Sequence, residues 1–440
     1  MSGGEAVGLP TGRINRAASI ARAGAQIGGN YVKYYGRKAL QGVDDRESLH
    51  RANAEDSFTV LAKLRGGPLK VAQMLSIDRN LLPQAYSESF ARAHHGAPPL
   101  AYPLVERVFR REMGCPPEAL FDRFEREAVR AASIGQVHRA WKDGHAYAVK
   151  IQYPGVATSL RSDLRLLRPL AARLFDLNNA DLDVYFGEVE ARLLEETDYA
   201  LELKRAVDLA DRCRDLAQVN FPAYHPELSC GKILTMDWVE GQTFDHFLAS
   251  APDTAQRNHI GQALWDFYHR QIHELQTFHA DPHPGNFLIK DSQLWVLDFG
   301  CVKVLPSGFH ADYFHLLDPA CHNDPERLEK HLETIALILP QDTPVDRARL
   351  VKLYEESIRL LARPFLGETF DFSDTAYSAE IYAFGERTRQ DPEIKKLNNA
   401  RGSPHALYLN RTFFGLYSLL GALAATVNVP PVPLALACET

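Results

Sequence analysis

The chain is 440 residues long, 45% hydrophobic and 24% charged, with a formal net charge of −7. Such values describe an ordinary globular protein with one or two large cores, and a two-lobed enzyme fits the length. They argue against a nucleic-acid partner, since no long basic run lies outside the N-terminal segment. The cysteines (Cys115, Cys213, Cys230, Cys301, Cys321 and Cys438) are too scattered for a zinc site or a disulfide framework, which fits a reducing cytosol.

Residues 1–40 form a basic segment, with Arg13, Arg16, Arg22, Lys33, Arg37 and Lys38 against the lone acid Glu5. Met1 to Pro10 lack the apolar stretch of a secretory signal, so the chain reads as unexported and cytoplasmic. A helix here is open to two readings, a peripheral contact with anionic lipid at the inner face of a membrane or a solvated, packed helix.

Residues 41–125 read as a helical extension, with apolar residues at three- and four-residue steps from Asp44 to about Phe124. Gly66-Gly67-Pro68 and Ala97-Pro98-Pro99 punctuate it. Within it Lys70 and Gln73 lie three apart and so project from one side of a helix.

Residues 126–241 resemble the N-lobe of a kinase with a helical insertion. Glu127 to Tyr153 predicts strands around a Lys142-Asp143-Gly144-His145 turn, and helices run from Leu160 to about Cys213. Lys232 to Val239 then predicts a strand, with the backbone from Met236 through Val239 to Glu240 in the place where a kinase hinge meets adenine.

Residues 242–440 read as a helical C-lobe. The segment after Gly300, Cys301 to Pro306, is expected to run straight into helix, with no Ala-Pro-Glu and so no peptide-docking activation segment. Thr412 to Val429 is uncharged and barely long enough to span a bilayer. Tyr417, Ser418, Asn428 and two glycines dilute it, so a buried terminal helix is expected.

The chemistry is concentrated in His279-Ala280-Asp281-Pro282-His283-Pro284-Gly285-Asn286 and Asp298-Phe299-Gly300. A kinase catalytic loop sets an Asn five positions after the Asp that orients the attacking hydroxyl or water, and a second Asp joins that Asn on Mg²⁺. Asp281, Asn286 and Asp298 fit those places. Lys150, ending Ala148-Val149-Lys150, stands where a strand lysine reaches ATP phosphates. The preceding loop carries Ala131, Ala132 and Ser133 where glycines would let the backbone approach phosphate closely. Glu195 to Glu202 reads as an acidic helix in which Asp198 and Glu202 share a face, and one of its acids is expected to pair with Lys150.

Lys70-Val71-Ala72-Gln73, Ala131-Ala132-Ser133, Glu196-Thr197-Asp198, Asp281 through Asn286 and Asp298-Phe299-Gly300 occur in the order found in one family. The chain resembles the UbiB family of atypical kinase-like proteins, which includes mitochondrial and bacterial factors needed for coenzyme Q (ubiquinone) biosynthesis. The resemblance implies an α+β, protein-kinase-like two-lobed fold with a small β-rich N-lobe, a helical C-lobe and an N-terminal helical extension covering the nucleotide cleft. It implies ATP and Mg²⁺ as cofactors, Lys150 on phosphate with Glu202 as its partner, Asn286 and Asp298 on the metal, and Asp281 as catalytic base. Lys70 and Gln73 would meet Glu196 and Asp198. Ala72 departs from the family's motif glycine.

The function implied is an ATPase or a small-molecule (lipid-precursor) kinase that supports ubiquinone biosynthesis rather than phosphorylating proteins. Its partners would be quinone-precursor lipids and quinone-biosynthesis enzymes. Two other readings stand beside it: a nucleotide-gated pseudokinase that organises partners or lipids at a membrane, and an aminoglycoside- or choline-kinase-like phosphotransferase.

Overall fold

An Asp-Gly pair between two apolar-alternating runs makes the first hairpin. Asp143 and Gly144 both take positive φ, 51° and 80°, the geometry that matches a two-residue turn to the twist of its strands. In the computed structural model, which describes residues 26–35, 37–38, 45–64, 89, 99–131, 134–175, 179–397 and 401–432, the chain divides into two units. One comprises residues 1–207 and 222–239, the other 208–221 and 240–440.

The first unit carries helices α1 (Arg46–Leu64) and α2 (Tyr102–Glu112), then strands β1 (Arg123–Phe124), β2 (Arg130–Ala131), β3 (Gly135–Lys142) and β4 (His145–Gln152). Helices α3 (Val156–Phe175), α4 (Asn179–Glu196) and α5 (Tyr199–Arg212) follow, the last turn of α5 already belonging to the second unit. Beyond them β5 (Val219–Asn220) belongs to the second unit, and β6 (Ile233–Asp237) returns to the first. The sheet runs β1-β3-β4-β6, with β2 also on β3, and every pair is antiparallel.

Strand β4 is buried on both faces. Tyr147, Val149 and Ile151 meet Val105, Val108 and Phe109 of α2 on one side. On the other, Ala148 and Leu234 join Tyr199 and Leu203 of α5. The extension is not helical through to Phe124, as its periodicity predicts. A short helix at Pro117–Leu120 ends before Arg123 and Phe124, which pair with Trp141 and Ala140 at the sheet edge.

The second unit holds the sheet β5-β10-β9-β7, built from β7 (Gln242–Thr243), β9 (Phe287–Lys290) and β10 (Gln293–Val296) with β5. Between β7 and β9 come α6 (Thr254–His269) and β8 (Thr277–His279). Asp253 starts α6 with a capping box, its side chain accepting from Gln256 N–H while the Gln256 side chain accepts from Asp253 N–H. Strand β11 (Val302–Val304) pairs with β8, so the segment after Gly300 forms a strand before the short helix α7 (Phe309–Phe314). Further along the unit lie helix α8 (Pro344–Leu361), β12 (Thr369–Asp371), α9 (Pro404–Leu423) and β13 (Thr426–Asn428), with helices at Pro325–Thr334 and Thr375–Gln390 among them.

The expected terminal helix over Thr412–Val429 stops early. Ala424 adopts the left-handed conformation, φ 48°, and Thr426–Asn428 pairs with β12 instead. The close approach of Ala425 needs Gly261, since a β-carbon there would lie 2.5 Å from Ala425 Cβ. Among the described residues, no helix is long and apolar enough to cross a membrane.

Candidate active site

Side chains alternate along a strand, so Lys150 leaves β4 on the face opposite Val149, toward α5. Its Nζ donates to Glu202 Oε1 at 2.7 Å, with both residues buried. The ammonium also lies 5.1 Å from the centre of the Tyr199 ring. Tyr199 and Glu202 are three apart at the start of α5 and therefore face the same way.

The acidic run is two helices rather than one. α4 ends at Glu196 and α5 begins at Tyr199. Between them Asp198 Oδ1 accepts from Ala200 N–H and Leu201 N–H, each at 3.1 Å. A short acid that can satisfy the open N–H groups of a new helix favours that cap over a place inside a helix. Asp198 is thus exposed and does not share the expected helical face with Glu202, while Glu196 is buried.

Ala131 pairs with Gln136 at the start of β3. Ala132, Ser133, Lys70 and Gln73 lie outside the described residues. Gly135 has no room for a side chain, since a β-carbon would come 2.5 Å from Ile151 O and 2.7 Å from the Tyr199 hydroxyl. Gln136 holds the end of the extension, its Oε1 accepting from Leu100 N–H at 2.6 Å.

Met236 is buried in β6 opposite Ala148, with Tyr224 bridged on its other side. Asp237 N–H and Trp238 N–H donate to Ala223 O and Ala146 O. The N–H groups of Asp237 and Trp238 are thereby committed to the sheet, and Val239 follows.

In the second unit, Asn286 Nδ2 donates to Asp281 O at 2.9 Å and stands 3.5 Å from Asp281 Oδ2. His283 N–H donates to the same Asp281 carbonyl, and Gly285 N–H donates to His283 Nδ1. The loop is therefore curled around its own polar groups. Leu297 N–H donates to Asn286 O at 2.9 Å, which brings Asp298 beside Asn286. Asp298 Oδ1 accepts from Gly300 N–H at 2.9 Å. Among the described residues no cluster of three or more His, Cys, Asp or Glu could hold a metal. Mg²⁺ commonly takes one or two carboxylates and completes its shell with phosphates and waters. The Asn286 amide oxygen and Asp298 carboxylate are hard donors of the kind that ion accepts.

Three supports of this loop were not legible in the motif. The Tyr268 hydroxyl hydrogen-bonds His279 Nδ1 at 3.0 Å, and burial, reinforced by the charge of Asp281, holds that phenol well above its ordinary pKa. Gln271 Oε1 accepts from His279 N–H at 2.9 Å while its amide donates to Phe267 O. It lies in a π-helical turn, Arg270–Glu274, a widening often found next to functional residues. Gly415 admits the ring of Pro282. His279 carries a sequence signal through its place two residues before Asp281, whereas Gln271 and Gly415 carry none.

The ABC1 atypical kinase-like domain matches residues 92–332, more than half of the chain. The chain belongs to that family. The UbiB resemblance and the α+β kinase-like fold are both upheld. This ABC1 chain is 29% identical to an uncharacterized chloroplastic aarF domain-containing protein kinase of Arabidopsis thaliana, over 76% of this chain and 48% of that protein. It is 27% identical to the mitochondrial atypical kinase COQ8 of Saccharomyces cerevisiae, over 96% of this chain and 84% of that protein. It spans only 41% to 56% of the length of three plant and nematode ABC1 relatives. Among solved structures, it is similar to Rv3197 of Mycobacterium tuberculosis in complex with erythromycin, with 28% identity and a TM-score of 0.59. That match covers 87% of this chain and 95% of Rv3197.

Proposed function

We propose that the protein transfers phosphoryl groups from ATP, as an ATPase or as a kinase acting on a small lipid precursor in ubiquinone biosynthesis. The observation that carries this reading is the buried Lys150–Glu202 pair at 2.7 Å. Desolvating two charges is costly, and a lysine so held is pre-positioned for phosphate oxygens.

Asp281 would orient the attacking water or hydroxyl, with Asn286 fixing the loop that presents it. Asn286 and Asp298 would hold Mg²⁺, which when bound supplies positive charge to the phosphate oxygens. Lys150 adds a fixed cation to the same phosphates. Val239 and Glu240, beyond the committed N–H groups of Asp237 and Trp238, would offer backbone to adenine. Ala131, Ala132 and Ser133 would restrict the phosphate loop, and Lys70 and Gln73 would approach Glu196 and Asp198. Protein substrates are disfavoured because no Ala-Pro-Glu follows Asp298-Phe299-Gly300.

Relatives named COQ8 are mitochondrial and others are chloroplastic. The basic composition of residues 1–40 supports peripheral contact with an anionic membrane, and quinone-biosynthesis enzymes would be the partners. Erythromycin is named for Rv3197 alone.

The test is Mg²⁺-dependent phosphate release from ATP by the wild type and Asp298→Asn, with and without a phenolic precursor mimic and anionic vesicles. Release that depends on Asp298 is expected. Nucleotide binding with no release above the variant under any condition would instead indicate a nucleotide-gated binding protein.

A further inference from the structure

Helix α9 has two differently occupied faces. Gly415 admits Pro282, while Phe413 and Tyr417 line a cavity of about 140 Å³. Residues two apart on a helix point roughly 200° apart, so the cavity lies across α9 from the Asp281 loop.

The cavity is built of rings. Phe413 meets Phe314 and Phe365 edge-on, at interplanar angles of 79° and 89°. Leu361, Ser357 and Tyr354 line it from α8. Its hydroxyls are largely occupied: the Tyr313 hydroxyl donates to Asn410 Oδ1 and the Tyr417 hydroxyl to Leu361 O at 3.4 Å. The space is partly open to solvent rather than sealed. Apolar voids of roughly 150 Å³ stay dry and admit a benzene-sized molecule.

We propose that this cavity is a binding site for a small, neutral, single-ring molecule. Ring edges and faces on its walls suit an aromatic guest, which prefers edge-to-face contact. The surroundings penalise charge, since burial pushes the Tyr354 phenol up to about 12. A glycosylated macrolide is far too large to be enclosed here.

The walls lead to the Asp281 loop by two routes. One is α9, through Gly415 and Pro282. The other is His273, whose ring lies 4.4 Å from Phe314 and 6.3 Å from Phe365. His273 shares a π-turn with Gln271, which accepts from His279 N–H. A seated ring therefore bears on both supports of the loop.

The test uses the full chain and fluorobenzene, followed by fluorine NMR and thermal melting. Saturable line broadening and a raised melting temperature are expected, with the ring still bound at saturating MgATP. Ser357→Leu and Ala406→Leu each place carbon in the cavity. Both should melt cooperatively and bind fluorobenzene at least tenfold more weakly, and benzoate should not bind the wild type. The proposal is overturned by any of three results: no saturable binding to folded wild type, undiminished binding in a folded filled variant, or displacement by MgATP. Benzoate binding as tight as fluorobenzene would overturn the neutral-ligand assignment.

Discussion

Pro282 occupies the place of a missing side chain at Gly415: a β-carbon on that glycine would lie 2.3 Å from the proline Cγ. The neighbour is a rigid ring in the loop that begins at Asp281, so it cannot swing aside. Gly415→Ala is expected to cost about 1–3 kcal/mol of stability by overpacking. It should also lower phosphate release by more than tenfold with ATP affinity retained, which steady-state kinetics and nucleotide titration would measure.

Lys150 and Glu202 are 8% and 2% exposed. Removing the cation takes a charged hydrogen-bond partner away from the buried Glu202 carboxylate, so Lys150→Met should destabilise by roughly 3–5 kcal/mol. Glu202→Gln keeps a polar partner and should cost less, about 1–3 kcal/mol. Urea unfolding distinguishes them, and a Lys150→Met protein as stable as the wild type would show that the buried pair contributes nothing to stability.

Gly135→Ala should be more damaging than its size suggests. Its new methyl group would press on Ile151 O, a ladder carbonyl, and on the Tyr199 hydroxyl. A loss of about 1–3 kcal/mol is expected. Tyr199→Phe should recover only part of it, because the contact with the backbone remains. Melting of the single and double variants tests this.

Acid should weaken the second unit through its histidines. Burial holds His269 down at about 4, and His273 and His310, joined by a 2.9 Å hydrogen bond, are also lowered. The unfolded chain takes up protons below an ordinary value near 6.5 while these folded rings remain neutral. Stability is thus complete above about pH 6.5 and declines as pH falls toward 4, by on the order of 2 kcal/mol for His269. Urea midpoints between pH 7.5 and 4.5 should show the decline, and His269→Asn should flatten it.

The hairpin was legible because Asp143-Gly144 can adopt the turn that few other pairs accept, and the apolar runs beside it alternate. The sheet position of Lys150 followed from the same alternation. The break at Asp198 was hidden because the surrounding residues are good helix formers, and only the side-chain cap reveals the new start. Ala424 was hidden for the opposite reason: alanine favours helix, and its left-handed turn is dictated by the pairing of Thr426–Asn428 with a distant strand. The contacts of Gln271 with His279 and of Gly415 with Pro282 leave no local pattern at all. They join positions whose proximity exists only after folding.

The assignment of residues 208–221 to the second unit, with residues 222–239 returning to the first, has a consequence for how this chain can be made and divided. No single cut yields both units whole: a break before Asp208 strands β6, and a break after Val239 removes β5 from its place beside β10. During synthesis the first unit must wait for β6, which emerges after β5, and β5 must wait for β10. Recombination that exchanges one unit for a homologue's would need two crossovers rather than one, so the two units are inherited together more readily than they are shuffled.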